Sequence, residues 1–448
     1  MAQEAYKDGL CLDDVTRTVA DGLCTSCGTC AGICPTDAIA MCISDGLFVP
    51  EIDGAKCNHC GLCRECCPGH VVDFVALNSR IFGKQPNDAF LGNFLECYVG
   101  YSKDESIRYN SASGGLATQI LIFALEKGII DGALVVRMKK GKPLEPEPFI
   151  ARTRDEIISA SKSKYCPVAA NEVLDQILEE DGRFAVVGLP CHIHGIRKAE
   201  EASKRLKDKV VLHIGLMCSH AVSFTGTELL LRKMGVRKGQ VTKLDYRGRG
   251  WPGSMSIQTD NRETLTIPLV GSWRAYWSLF SSFFFTPLRC IMCPDQTNWL
   301  SDISLGDAWL PELKYDKIGE SVIIARTETA KDIITLMSSS CVLSIRAVSA
   351  EKVIISQGLN LQFKKTDLNL RMSVLDLLGR KIPSFNPLPT PTGSHLVFPR
   401  AVFPYFSIKI SSSKHFRALL LYAPFPLFRL YYGIYKLLCS VRGSGCSV

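Results

Sequence analysis

Past about Leu95 the chain alternates two apolar patterns. Residues 111–128, SASGGLATQILIFALEKG, open polar and glycine-rich, carry apolar residues at helical spacing and end in Lys-Gly. That reads as an amphipathic helix with its start and stop signals in place. IIDGALVV follows directly as a short apolar strand, and NEVLDQILEEDG with RFAVVGLP repeats the unit. KVVLHIGLMC is a third strand, and DISLGDAW and SVIIAR read as two more. Helices followed by short, continuously apolar strands predict α/β organisation around a largely buried sheet. SMSIQTDNRETLTIPL instead alternates around Asp260-Asn261, a hairpin signal.

Ahead of this region the pattern is set by cysteine. Two runs read C-x2-C-x2-C-x3-C-P: Cys24, Cys27, Cys30 and Cys34, then Cys57, Cys60, Cys63 and Cys67. Three thiolates at this spacing wrap three corners of a cubane, and the fourth, turned away by its proline, ligates the other cluster. Cys24, Cys27, Cys30 and Cys67 are therefore expected to hold one [4Fe–4S], and Cys57, Cys60, Cys63 and Cys34 the second. Gly28 and Gly61 let backbone amides approach sulfide. Structural zinc prefers separated C-x2-C pairs, so tandem four-cysteine runs argue against it. Cys11, Cys42 and Cys66 fall outside the register as spare thiols, and His59 and His70 read as surface residues. The segment resembles a bacterial two-cluster ferredoxin. It is the only internal repeat.

Composition sharpens this picture. At 448 residues the chain is expected to form two or three domains. They are a ferredoxin-type domain over 1–80, a mixed α/β domain over 95–383, and an extension over 384–448. Twenty cysteines could signal a disulfide scaffold, but they cluster at metal spacings and no secretory pattern opens the chain. A reducing cytoplasm is the expected setting, with contact at the periphery of a membrane as a further option. Residues 1–75 hold eleven Asp/Glu against four Lys/Arg, whereas from Asn386 onward there are seven Lys/Arg and no acid. With no dense basic run interleaved with aromatics, nucleic-acid binding is not expected. An acidic head and a basic tail suit docking surfaces.

Four places in the α/β region carry candidate chemistry. Ser111-Ala112-Ser113-Gly114-Gly115 at a helix start is either a phosphate site or an ordinary serine cap. KSKYCPV places Lys162 and Lys164 to meet the same phosphates, or forms a solvated basic loop. Cys191, Cys218, Cys290 and Cys293 follow apolar strands and can converge on one more cubane, or be inert buried thiols. The neighbouring His192, His194, His213 and His220 read as hydrogen-bonded histidines. YRGRGWPG offers Arg247 and Arg249 to an anionic substrate and Trp251 to a planar ring, or is a tight turn.

Taken in order, SASGG, KSKYCPV, VGLPCHIHGIR, the strand ending at Cys218, YRGRGWPG and RCIMCPDQTNWLSDISLGDAW resemble the coenzyme F420 hydrogenase/dehydrogenase beta-subunit family across about residues 95–325. The resemblance implies FAD, with Ser111, Ser113, Gly114, Gly115, Thr118, Lys162, Lys164 and Tyr165 on the flavin side. It also implies a third [4Fe–4S] on Cys191, Cys218, Cys290 and Cys293. The expected activity is an oxidoreductase passing electrons between reduced coenzyme F420 and one-electron carriers, toward a redox partner or larger complex. No protein nucleophile or acid–base residue is needed. Two alternatives stay open: a ferredoxin-dependent reductase of an organic substrate, and a non-catalytic cluster-bearing scaffold. The extension after about Pro383 departs from the family. It ends in an aromatic, basic tail too interrupted to span a bilayer, suited to a membrane face, a partner or the chain's own core.

Overall fold

The computed structural model describes residues 6–7, 10–11, 14–272, 274–386 and 398–440. Cys11's side chain and the last residues of the expected tail lie outside the described set. An eight-stranded sheet forms the centre, in the order Leu343–Ala347, Glu96–Ser102, Ser321–Ala325, Ile303–Asp307, Val210–Leu216, Phe184–Gly188, Gly132–Lys139 and Lys142–Ala151. The four strands from Ile303–Asp307 to Gly132–Lys139 run parallel; three successively antiparallel strands flank them on one side, and antiparallel Lys142–Ala151 flanks them on the other.

The continuous apolar runs follow from burial on both faces. Along one strand Ala133 and Val135 join a cluster with Ile120, Phe123 and Ile334. Leu134, Phe184 and Val186 point the other way, against Phe74, Ile193, Ile196 and Trp299. The helices Leu116–Glu126 and Glu328–Ser339 therefore cover one face, and Pro190–Ala202 covers the other. The expected hairpin forms inside a separate three-stranded sheet, with Ser254–Thr259 paired to both Val241–Asp245 and Thr264–Pro268.

The cysteine-rich module is clamped to this body. Lys198 donates to the carbonyls of Cys67 and Val71 at 2.8 and 3.0 Å, and Arg289 to those of Gly69 and Pro68 at 2.7 and 3.2 Å. The strand Ser384–Asn386 pairs in parallel with Val71–Asp73. The first residues of the expected extension thus lie at the junction between module and body.

The described tail forms three helices, Phe398–Ser412, Lys414–Tyr422 and Phe425–Ser440. Their inner faces pack on the chain itself. Phe403 and Phe284 stack on Tyr431, Phe283 meets Tyr435, and Arg400 pairs with buried Asp367 at 2.7 Å. No helix among the described residues is long and apolar enough to cross a membrane.

Candidate functional site

The two cysteine runs fold into loops of the same shape. Ser26 and His59, at matching positions, have φ of 58° and 57°, and Gly28 and Gly61 have 82° and 76°. Each loop then starts a one-turn helix, Thr29–Gly32 or Leu62–Glu65. The left-handed turn at Ser26 points its N–H at the Cys24 thiol. Three sulfurs accept backbone N–H bonds: Cys24 from Ser26 at 3.4 Å, Cys34 from Ala38 at 3.4 Å and Cys67 from Gly69 at 3.3 Å. Such bonds stabilise negative charge on sulfur and raise a cluster's potential.

The packing groups the fourth cysteine of each run with the first three of the other. Cys34 lines one small cavity with Cys57, Cys60 and Cys63. Cys67 sits with Cys24, Cys27 and Cys30, whose thiols interact with it electrostatically. Burial, followed by repulsion from these neighbours, pushes the Cys24 thiol up to about 12 and Cys30 well above the ordinary range. Buried, mutually repelling thiols become stable thiolates only around a cationic core, and that donor set fits an iron–sulfur cubane. Among the described residues no three His, Cys, Asp or Glu side chains close around a single ion.

The structure also gathers Cys191, Cys218, Cys290 and Cys293. Burial raises the Cys191 thiol first, and Cys27, Cys218, Cys290 and Cys293 add to it. Cys27 belongs to the first ferredoxin loop, so the two cysteine sites adjoin. Burial pushes Cys218 up to about 12, and the Lys364 ammonium opposes it. Lys364 is buried and donates to the Cys290 carbonyl at 3.1 Å. Arg371 donates to the Ile291 carbonyl at 2.6 Å. Buried cations therefore grip the Cys290–Cys293 turn, which suits an anionic thiolate-bound cluster.

Lys364 lies on a π-helical turn, Gln362–Thr366, a feature frequent at functional sites. The sequence reading missed it because nothing local marks a buried lysine. Asp295 was also missed. It accepts from His194 at 2.8 Å and from the N–H groups of Asn298 and Trp299 at 2.8 and 2.9 Å, fixing the loop after Cys293.

A cavity of about 1540 Å³ opens at the carboxyl ends of the parallel strands, touching Gly188, Leu216 and Leu305. Ligands of open α/β sheets bind at such ends. Ser111, Ser113, Gly115 and Thr118 line one wall, Lys162, Lys164 and Tyr165 another, and Cys218 reaches the same space. The wall therefore joins the start of Leu116–Glu126 to the cysteine site. Buried Arg247 Nη2 and Gln296 Oε1 lack protein partners, and both residues line the cavity. Unpaired buried donors and acceptors beside apolar walls fit a large, polar-edged cofactor such as FAD.

Several expected roles change. Gly114 does not line the cavity: an added Cβ would sit 2.6 Å from the Gly100 carbonyl, so the glycine serves strand packing. Lys164 is spent on the carbonyls of Ala160, Ser161 and Lys162, and burial lowers it to about 7. Lys162 pairs with Asp245 at 2.9 Å. Arg247 is buried against Asp307 at 2.5 Å and bonds the Tyr165 hydroxyl at 3.3 Å, so it shapes the wall more than it clamps a substrate. Arg249 is exposed and Trp251 packs on Trp309 at 4.4 Å; neither is among the lining residues.

A ferredoxin-like module docked by its first cysteine loop onto an α/β body, with a second cysteine site opening into a strand-end cavity, defines an iron–sulfur protein of the electron-transfer type. The chain belongs to the coenzyme F420 hydrogenase/dehydrogenase beta-subunit family. The N-terminal model of that family matches residues 97–175, its C-terminal model residues 181–351, and a 4Fe-4S binding domain residues 18–40.

The beta subunit of the coenzyme F420 hydrogenase of Methanosarcina barkeri is 26% identical over 253 residues, covering 55% of this chain and 79% of that relative. A component of the F(420)H(2) dehydrogenase of Methanosarcina mazei is 26% identical over 327 residues, covering 71% and 82%. The coenzyme F420-dependent sulfite reductase of Methanocaldococcus jannaschii is 27% identical over 337 residues, covering 71% and 46%. One polypeptide of the F420-reducing [NiFe] hydrogenase complex from Methanosarcina barkeri superposes with a TM-score of 0.52 at 22% identity, covering 67% of this chain and 98% of that one. The family matches end at residue 351, before the π-helical turn and the tail.

Proposed function

We propose that this chain is an electron-transfer subunit that passes electrons between reduced coenzyme F420 and one-electron carriers, through FAD and three [4Fe–4S] clusters. The observation that carries the reading is the adjacency of Cys218, on the cavity wall, to a cysteine group close enough to Cys27 to interact with it electrostatically. FAD, bound with its phosphates toward the start of Leu116–Glu126, supplies the conversion of a hydride's electron pair into single electrons.

The chain's own residues do the rest. Ser111, Ser113, Gly115 and Thr118 form the wall beside that helix start, and Tyr165, Arg247 and Asp307 brace the opposite side. The parallel-strand ends and the tail helices enclose the space and exclude water. Cys191, Cys218, Cys290 and Cys293 hold the cluster nearest the cavity. Cys24, Cys27, Cys30 and Cys67 hold the next, and Cys57, Cys60, Cys63 and Cys34 the outermost. Cys60 is exposed, which makes its loop the contact point for a redox partner within a larger assembly.

Size supports a second reading. The cavity exceeds the ~300–1,000 Å³ of an ordinary single-ligand pocket and runs on to Phe363, Tyr432 and Tyr435. A ferredoxin-fed reductase of an organic substrate would use that extra space. Anaerobic reconstitution followed by flavin bleaching separates the two: bleaching by reduced F420 supports the first, and bleaching only by reduced ferredoxin the second. Thr118→Leu, which adds bulk to the cavity wall without removing a cysteine, should lower FAD content and leave iron unchanged. Full flavin retention in that variant would remove the assignment.

A further inference from the structure

The tail helices are apolar on two sides. Inward, Leu420, Phe428 and Tyr435 are buried in the chain's own clusters. Outward, Phe416, Leu419 and Tyr422 repeat every third residue on Lys414–Tyr422, with Leu419 64% and Tyr422 83% exposed. On Phe425–Ser440 the exposed stripe is Leu427, Leu430, Ile434 and Leu437, with Leu430 65% and Leu437 68% exposed. A helix apolar all round normally has both sides covered. Here, among the described residues, the chain covers one side, and two consecutive helices share that condition.

The charge around these stripes selects the occupant. Residues 398–440 contain Arg400, Lys409, Lys414, Arg417, Arg429 and Lys436 and no Asp or Glu. Arg400 is spent inside on Asp367. Lys414, Arg429 and Lys436 are exposed beside the stripes. The Lys436 ammonium also lies 5.1 Å from the Tyr432 ring. Single cations spaced among bulky apolar side chains suit a headgroup boundary, where the apolar groups insert and the long cationic stems reach up to phosphate. Protein interface cores, by contrast, are depleted of lysine. The segment lies beyond the family match, so the property belongs to this chain's own extension.

We propose that the outer face of Lys414–Tyr422 and Phe425–Ser440 is a monotopic docking surface for an anionic phospholipid membrane. Leu419, Leu430 and Leu437 insert below the headgroups, and Lys414 and Arg429 contact phosphate. The body stays in water above the bilayer. Docking neither uses nor alters the cysteine sites, so it stands even if the hydride-donor reading fails.

Flotation of the full-length, reconstituted protein tests this. Vesicles of phosphatidylcholine with a minority of phosphatidylglycerol should carry the protein up the gradient, whereas pure phosphatidylcholine should carry little. Leu430→Glu with Leu437→Glu changes only exposed side chains. It should weaken anionic-vesicle binding by more than about tenfold, with iron and flavin content unchanged as the check on folding. Failure of the parent protein to float with anionic vesicles at low salt overturns the proposal. So does a concentration-dependent dimer that disappears in the double variant while vesicle binding is absent, because the face would then belong to a second copy.

Discussion

Asn171 joins the two cysteine sites. Its backbone N–H donates to the Cys27 carbonyl at 2.9 Å, and its side-chain amide donates to the His192 carbonyl, next to Cys191, also at 2.9 Å. The same amide reaches Thr29 Oγ1 at 2.8 Å. One buried side chain thus sets the separation of an inner thiolate from the first ferredoxin loop.

That separation can be perturbed at Gly195. A Cβ there would fall 2.1 Å from Thr29 Oγ1. Gly195→Val should cost about 1–3 kcal/mol through overpacking and push the module outward. Rapid-freeze paramagnetic resonance should then show reduction of the ferredoxin clusters lagging behind that of the inner one. An unchanged lag would separate the packing at this contact from electron transfer.

Iron content tests the count of clusters. Three cubanes require about twelve iron and twelve sulfide per chain. Cys290→Ala with Cys293→Ala should remove about four of each and leave the ferredoxin signals in place. A parent protein with only about eight iron, unchanged in the double variant, would eliminate the inner cluster.

Lys364 places a buried positive charge beside Cys218 and Cys290. A cation near a cluster stabilises its more negative, reduced state. Lys364→Met should therefore move the inner potential negative by tens of millivolts, read by potentiometric titration, with the outer two unmoved. An equal shift at all three would indicate general disruption rather than a local field.

Acid and alkaline stability should be limited by different members of one buried network. His213 bonds Glu200 and Asp302 at 2.6 and 2.9 Å, and Arg197 pairs with both carboxylates. Burial pushes Asp302 up, but Arg197 and His213 outweigh it and hold it at about 2. Its contribution is present above the ordinary aspartate value of about 4 and fades as pH falls toward 2. For His213, burial and Arg197 pull down, but Glu200 and Asp302 win and hold the imidazole above its ordinary range. That contribution is full below about pH 6.5 and is lost as pH rises through the raised value. Anaerobic melting curves should show both limbs, and His213→Gln should erase the alkaline one. A variant that keeps its alkaline limb would locate that loss elsewhere.

What could be read from the chain follows the range of the forces involved. The cysteine runs were legible because ligand spacing is local, and the central strands because burial on both faces leaves a continuous apolar run. The edge pairing of Leu343–Ala347 with Glu96–Ser102 spans over two hundred residues and leaves no local mark. Arg247 looked like a free anion clamp because its partner Asp307 lies sixty residues away. Gly114 and Gly115 read alike in sequence, yet one is fixed by close approach to Gly100 and the other by a φ of 75°. The tail's inner face could not be told from a docking face by composition, because Phe403 and Phe416 differ only in what stands opposite them.

The backbone turns at Ser26–Gly28 and His59–Gly61 match. Their surroundings differ. A side chain at Gly28 would strike Ala169 at 2.7 Å, whereas one at Gly61 would meet nothing within 4 Å. Polarity is therefore written in the docking rather than in the motif: a matching pair has an inside and an outside because one copy is sealed against the body. A side chain is accordingly expected to be tolerated at Gly61 far better than at Gly28.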